Sequence, residues 1–262
     1  MKYLILLLLM IFAVGCNPDV KTFNGYVEGE YVYIATTTSG LLQTLSVSRG
    51  QPVKRGDDLF ALDQTNLQAV LASAESGVTE AKATLSNASL EYDRARLLVT
   101  AQAVSQSEYE AKKAAFDSSR AALQGAIQKV VQAKKQLVES APKAPNDGRI
   151  EDTYYRAGEY IAAGAPVVSL LPPENVRVRF FVPQALLPSF PLEGAVTIHC
   201  DGCDKPVKAK INFIASQGEY TPPVIYSVGS RDKLVFRVEA IPETFTPALR
   251  PGLPVDIERS AL

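Results

Sequence analysis

The chain of 262 residues has no tryptophan, one histidine, two methionines and three cysteines. That inventory leaves no serine or cysteine with a histidine arrangement suited to nucleophilic catalysis, so no enzyme activity is expected. No G-x-x-x-x-G-K-[ST] loop is present, which removes nucleotide binding by that route. Charge of one sign is also lacking: 27 Lys and Arg against 28 Asp and Glu give a net −1, so there is no electrostatic case for a nucleic-acid partner. The apolar run Tyr3 to Val14 is twelve residues long, short of the roughly 20 that a membrane-spanning helix needs. What the chain does have is 47% hydrophobic residues, enough for real cores at this length.

Lys2, that apolar run and the small residues Ala13-Val14-Gly15 before Cys16 read as a processing signal for export, not as fold. Two cleavage readings stand. Ala13 and Gly15 can serve as an ordinary small-x-small site with Cys16 a bystander. The run also resembles a bacterial lipoprotein signal, in which Cys16 is lipidated and becomes the first residue. Cysteine arithmetic favours the second, because it leaves Cys200 and Cys203 as a pair with no odd thiol.

Beyond the signal the chain repeats itself. GLLQTLSVSRGQPVKRGDDLFAL (Gly40 to Leu62) aligns without gaps on GRIEDTYYRAGEYIAAGAPVVSL (Gly148 to Leu170) at a constant offset of 108 residues. Gly40, Gly50, Gly56 and Leu62 fall on Gly148, Gly158, Gly164 and Leu170. Short β-rich runs punctuated by glycine predict short strands folding over one another. Neither copy can bury a core alone, so the two are expected to pack as one small β-sandwich.

The pattern resembles the half-motifs of biotinyl/lipoyl carrier domains. A carrier needs a lysine on the hairpin joining its halves, because that amine takes the cofactor. Here Asp63-Gln64-Thr65-Asn66 occupies the junction, Lys54 lies before it and the next lysine is Lys82. No cofactor is expected.

A helical insertion replaces the carrier hairpin. Leu67, Leu71, Ala74, Val78, Ala81, Leu85, Ala88, Tyr92, Ala95 and Val99 alternate at spacings of four and three, which keeps one seam facing a partner helix. Thr65 and Gln68 offer a capping box at its start. In the returning helix Tyr109, Phe116, Leu123, Val130 and Leu137 recur every seven residues, alternating with Ser119, Ala126, Ala133 and Ser140. Large residues facing small ones predict a close antiparallel coiled coil projecting about 50 Å. At its tip Ser105 is the expected N-cap, with Glu108 closing a capping box and Val104 and Tyr109 as a hydrophobic staple.

Arg94 and Leu98 lie off the seam. With Ser105 they match the R-x3-L-x6-S tip signature, and here the chain resembles the HlyD-like periplasmic adaptors, or membrane fusion proteins. The order lipoyl half, α-hairpin, lipoyl half and β-barrel is that family's, as is the APNDG stretch (Ala144 to Gly148) leading into the second half. The resemblance implies a mixed β plus α-hairpin fold: a barrel-sandwich hybrid interrupted by the coiled coil, then a barrel. It implies that Arg94, Leu98 and Ser105 meet a TolC-like outer-membrane channel. Arginine suits that contact because its planar guanidinium pairs with carboxylates or carbonyls, and leucine supplies an apolar anchor. The further partners it implies are an inner-membrane transporter, ABC type ahead of RND because no separate membrane-proximal domain is evident, and further copies of the chain, a hexamer. The setting is the periplasm of a Gram-negative bacterium, with a lipid anchor in the inner membrane.

The expected domains are the signal 1–15, a linker and first barrel strand 16–30, lipoyl-like half one 31–64, the hairpin 65–141, half two 142–173 and the barrel 174–262. In the last, NVRVRFFVP, AVTIHC, VKAKINFIAS, KLVFRVEAI and LPVDIE read as strands between Pro, Gly and Asp turns, and Asn24 to Glu30 adds one from the N-terminal side. Cys200-Asp201-Gly202-Cys203 beside His199 reads as a turn between two strands. Two cysteines and one histidine are too few for structural zinc, so no metal is expected. Export favours a disulfide, with Cα atoms about 5.5 Å apart across a two-residue hairpin turn; free thiols and a bound metal are the alternatives. A rival for the whole chain is a structural envelope lipoprotein whose coiled coil is only a spacer.

Overall fold

The computed structural model describes residues 22–220 and 234–259. Cys16 and the expected export signal lie outside them. The described residues divide into two compact units: 31–172, and 22–30 together with those from 173 onward.

In the first unit the sequence repeat becomes interlocked strands. Val32–Ala35 (β2), Gly40–Leu45 (β3), Pro52–Val53 (β4) and Phe60–Leu62 (β5) come from the first copy and its approach. Gly148–Thr153 (β6), Tyr160–Ile161 (β7) and Pro166–Leu171 (β8) come from the second. They form two antiparallel sheets, ordered β2-β8-β6-β4 and β5-β3-β7. Each copy thus lends its short middle strand to the other: Val53 pairs with Gly148, and Ile161 with Gly40. Leu42, Leu59, Leu62, Ile150, Ile161 and Leu170 are fully buried between the sheets. The glycines at the repeat's turns have φ of +82° and +94° in one copy and +95° and +79° in the other, a left-handed conformation that glycine adopts without steric cost. Gly148 serves closeness instead, since a Cβ there would stand 2.7 Å from the carbonyl oxygen of Leu171.

Between β5 and β6 run the helices Thr65–Thr100 (α1) and Gln106–Glu139 (α2), each about 50 Å long at 1.5 Å per residue. Every seam residue named above is half-buried or buried, while only Ala95, Ala133 and Ser140 are fully so. Two helices can cover only one flank of each other.

The start of α1 departs from the expected capping box. Gln64 occupies the N-cap position without a side-chain cap bond, and Asp63 instead accepts from both the N–H and the hydroxyl of Thr65, at 2.9 and 2.7 Å. Gln64 is used elsewhere: its Nε2 donates to Leu137 O and Ser140 Oγ at the end of α2, at 3.2 and 3.0 Å. Thr37 Oγ1 donates to Glu139 Oε2 at 2.7 Å. The first two bonds join the base of one helix to the end of the other, and the third ties that end to the sandwich.

The second unit is a closed barrel of Thr22–Gly29 (β1), Val176–Pro183 (β9), Ala195–Cys200 (β10), Val207–Tyr220 (β11), Leu234–Pro242 (β12) and Pro254–Arg259 (β13), ordered β1-β13-β10-β11-β12-β9. In β9, Val176, Val178, Phe180 and Val182 alternate inward, with Arg177, Arg179 and Phe181 between them facing outward, the period-two pattern of a strand with one wet face. Outside, Tyr26, Arg179, Glu239 and Phe213 stand in one row across β1, β9, β12 and β11. Glu239 is 5% exposed, with Arg177 and Arg179 guanidinium nitrogens each 3.1 Å from its carboxylate.

The Cys200–Cys203 geometry differs from a two-residue hairpin. The last β10–β11 pair is Ile198 with Val207, so the connection is longer: Cys200 ends β10, paired with Val255 of β13, and Cys203 lies in the connection, its N–H donating to Cys200 O at 3.2 Å. The Cα atoms are 5.4 Å apart and the sulfurs are joined. Gly202 has φ +86°, which closes that turn. His199 Nε2 is 3.0 Å from Glu258 Oε2 on the neighbouring β13.

Candidate docking tip of the hairpin

The tip is built by two opposed caps. α1 ends with Ala103 N–H donating to Leu98 O at 2.9 Å and Gln102 N–H donating to Val99 O at 3.1 Å, the two bonds of a Schellman motif. Its left-handed residue is Gln102, φ +56°, where glycine is usual. α2 then starts from Ser105, with φ −73° and ψ 154°, whose Oγ accepts from Glu108 N–H at 3.1 Å. The serine is the N-cap that its sequence context predicts.

Below this turn an aromatic stack joins the helices. Tyr92 and Phe116 lie 5.3 Å apart with rings 13° from parallel, and the Tyr92 and Tyr109 hydroxyls are 3.4 Å apart. That hydrogen bond, ahead of burial and the neighbouring charge of Tyr109, raises the Tyr92 pKa. Arg96 and Arg120 lie over Tyr92 and Phe116, 5.9 and 5.7 Å from the ring centroids. The last turns of the hairpin are therefore held on both strands of the coiled coil, and the turn rests on a stiff base.

Arg94 and Leu98 stand one turn apart on the outer surface of α1. Arg94 donates to Glu91 Oε1 at 2.7 Å, and Glu91 also faces Lys112 of α2 at 3.4 Å. The Arg94 side chain is 69% exposed, so most of its five donors face outward. Leu98 is 44% exposed and its neighbour Leu97 70%. Sequence reasoning singled out Leu98 and missed Leu97 and Leu90; both lie on the face directly away from the seam, seven residues apart, and that spacing was the available signal. Arg94, Leu98 and Ser105 thus lie within the last two turns of the arm and its loop: a guanidinium, an apolar group and a hydroxyl already used by the backbone.

The arm and its sandwich decide the family. Residues 30–171, more than half of the chain, match the family model described as RND MFP, barrel-sandwich hybrid domain. The chain belongs to the membrane fusion protein family. Among relatives, this membrane fusion protein is 25% identical over 295 residues to the UPF0194 membrane protein YbhG of Salmonella arizonae, covering 92% of this chain and 89% of that one. Among solved structures it resembles the membrane fusion protein Spr0693 of Streptococcus pneumoniae R6, with TM-score 0.67 at 18% identity over 92% of this chain and 99% of the other. It also resembles MacA of Actinobacillus actinomycetemcomitans, with TM-score 0.60 at 19% identity over 92% and 78%. The family is one of non-enzymatic adaptor components. Among the described residues no helix is long and apolar enough to cross a membrane, and no cluster of metal-ligating side chains occurs.

Proposed function

We propose that this membrane fusion protein is the periplasmic adaptor of a tripartite exporter, anchored to the inner membrane through a lipidated Cys16. It bridges an inner-membrane transporter, of ABC type by resemblance to compact adaptors, and a TolC-like outer-membrane channel. Copies of the chain assemble into a ring, a hexamer, whose sandwich domains line a conduit continued by the hairpins. The observation that carries this reading is the tip: a capped, stacked end of an arm about 50 Å long that presents Arg94 and Leu98 outward. An arm of that length, held on a stiff base, has the reach a bridge needs. Arg94 would exchange part of its Glu91 pairing for carboxylates or carbonyls on the channel rim, and Leu98 would fill an apolar notch there. Ser105 keeps the turn in shape.

The test places a photocrosslinking residue at Ala103 in living cells and identifies the captured proteins by mass spectrometry. Capture of an outer-membrane channel, lost with Arg94→Asp while folding and export of the adaptor are preserved, is the expected outcome. Self-crosslinks alone from a correctly exported protein would replace this reading with that of an envelope spacer.

A further inference from the structure

The connections between the barrel strands are unlike. Those after β10 and β12 carry Asp201, Asp204, Lys205, Glu243 and Arg250. That from β9 to β10 passes through the short 3-10 helix Gln184–Ser189, and no charged residue occurs over 180–192, FFVPQALLPSFPL. In it Ala185, Pro188, Pro191 and Leu192 are exposed, Leu192 to 60%. A single exposed leucine is ordinary on a protein surface, so the setting of this one has to carry the argument.

The barrel holds this loop in place. Phe190 is buried, its ring 5.1 Å from Phe23 of β1 and 5.9 Å from Phe180 of β9. Gly194 N–H donates to Pro191 O at 3.0 Å, closing a four-residue turn with Leu192 and Glu193 at its corners. Glu193 N–H donates to Ile211 O of β11 at 2.8 Å. Glu193 has φ +63°, a left-handed conformation at the turn position where glycine is usual. Strain of that kind persists only where the surroundings impose it, and here it leaves an apolar side chain in the open.

The same end of the barrel receives the chain from Cys16. β1 begins at Thr22, and its register with β9, Gly25 against Phe180, sets Thr22 level with Pro183, where the loop starts. The stretch from Cys16 to Thr22 reaches about 20 Å at most, whatever its conformation. Acyl chains on Cys16 would therefore keep this end of the barrel close to the bilayer. Resting on the adaptor reading, in which Cys16 is lipidated, we propose that the loop 185–192 is a membrane-contact site. Leu192 enters the interfacial layer of the leaflet, with Pro188 and Pro191 beside it at headgroup level. The occupant is the lipid surface, because the tether brings that surface to this loop and the loop holds no charge that would have to leave water. So small an apolar area is marginal as an anchor by itself; it orients a barrel that the acyl chains hold.

The full acylated chain is reconstituted into vesicles of phosphatidylethanolamine and phosphatidylglycerol containing brominated acyl chains, with an environment-sensitive dye on Leu192→Cys or Thr244→Cys. β12 runs from the level of Pro183, paired with Val235, to Pro242, so Thr244 marks the far end of the barrel. With Cys16 acylated and Cys200 joined to Cys203, the introduced thiol alone takes the dye. Emission from Leu192→Cys should shift to the blue and fall by at least half relative to vesicles without bromine, while that from Thr244→Cys stays unchanged. Unquenched emission from Leu192→Cys in membrane-bound protein, or equal quenching at both sites, would overturn the proposal. A photocrosslinking residue at Leu192 in living cells should capture phospholipid; capture of a membrane protein in its place would assign the loop to a protein partner and sink the idea. Channel capture from Ala103 with Leu192 unquenched leaves the adaptor reading standing and this contact refuted, and quenching without channel capture does the reverse. Protein that carries no acyl label in cells removes the anchor and, with it, this contact.

Discussion

Single residues in this chain act through what surrounds them, and glycine makes the point with opposite signs. At Gly148 an added methyl would stand 2.7 Å from the Leu171 carbonyl oxygen, so Gly148→Ala should destabilise the sandwich by about 2 kcal/mol, the scale of overpacking in a full core. At Gly77 the same change meets open space and should stabilise the hairpin by about 1 kcal/mol through helix propensity; urea unfolding of the two variants measures both. Asp63 offers a test in pH. The Thr65 N–H, then the Thr65 hydroxyl, hold its carboxyl below the ordinary value of 3.8. A depressed folded value means the contribution to stability is complete above the unfolded pKa and fades as pH falls through the folded one. An NMR titration should place the Asp63 midpoint below 3.8, and Thr65→Ala should move it part of the way back. Neither use of these residues was legible in the sequence. Gly77 and Gly148 look alike in one dimension, and Asp63 replaces the capping box that Thr65 and Gln68 suggested only because Gln64 is drawn away to the end of α2.

Whole elements were far more legible, because their period is written in the residues. All the seam positions read from the four-three spacing of α1 and the seven-residue repeat of α2 are those the structure covers, since a helix turning every 3.6 residues leaves few other ways to bury a stripe. The barrel strands followed from alternation, as in β9. The connection that follows Cys200 and holds Cys203 was misjudged in length, because strand register depends on pairing with β11 and β13 and not on local turn chemistry alone. Missed as well was the outward row Tyr26, Arg179, Glu239, Phe213, which exists only once four strands are in register. Its centre is vulnerable. Glu239→Ala leaves Arg177 and Arg179 without the carboxylate they share, and should destabilise the barrel by about 3 kcal/mol, read as an earlier unfolding transition of that unit.

At the scale of the whole molecule, the membrane anchor is the feature on which the proposed bridge turns. Cys16→Ser should move the exported protein from the membrane to the soluble fraction and abolish metabolic labelling with palmitate, while leaving its circular dichroism unchanged; retention of the label would point to another attachment site. By itself the sequence determined the nested order of sandwich half, hairpin and sandwich half followed by a run of short strands, since these follow from a gapless repeat, a heptad seam and β-rich runs between turn residues; the closing of those strands into a barrel was implied only by the family resemblance. Only the tertiary structure decided that each repeat lends a strand to the other, that Gln64 joins the start of α1 to the end of α2, and that Thr37 ties that end to the sandwich. Those features join residues far apart in the chain, and a pattern along one strand or helix does not specify which distant surface will close against it.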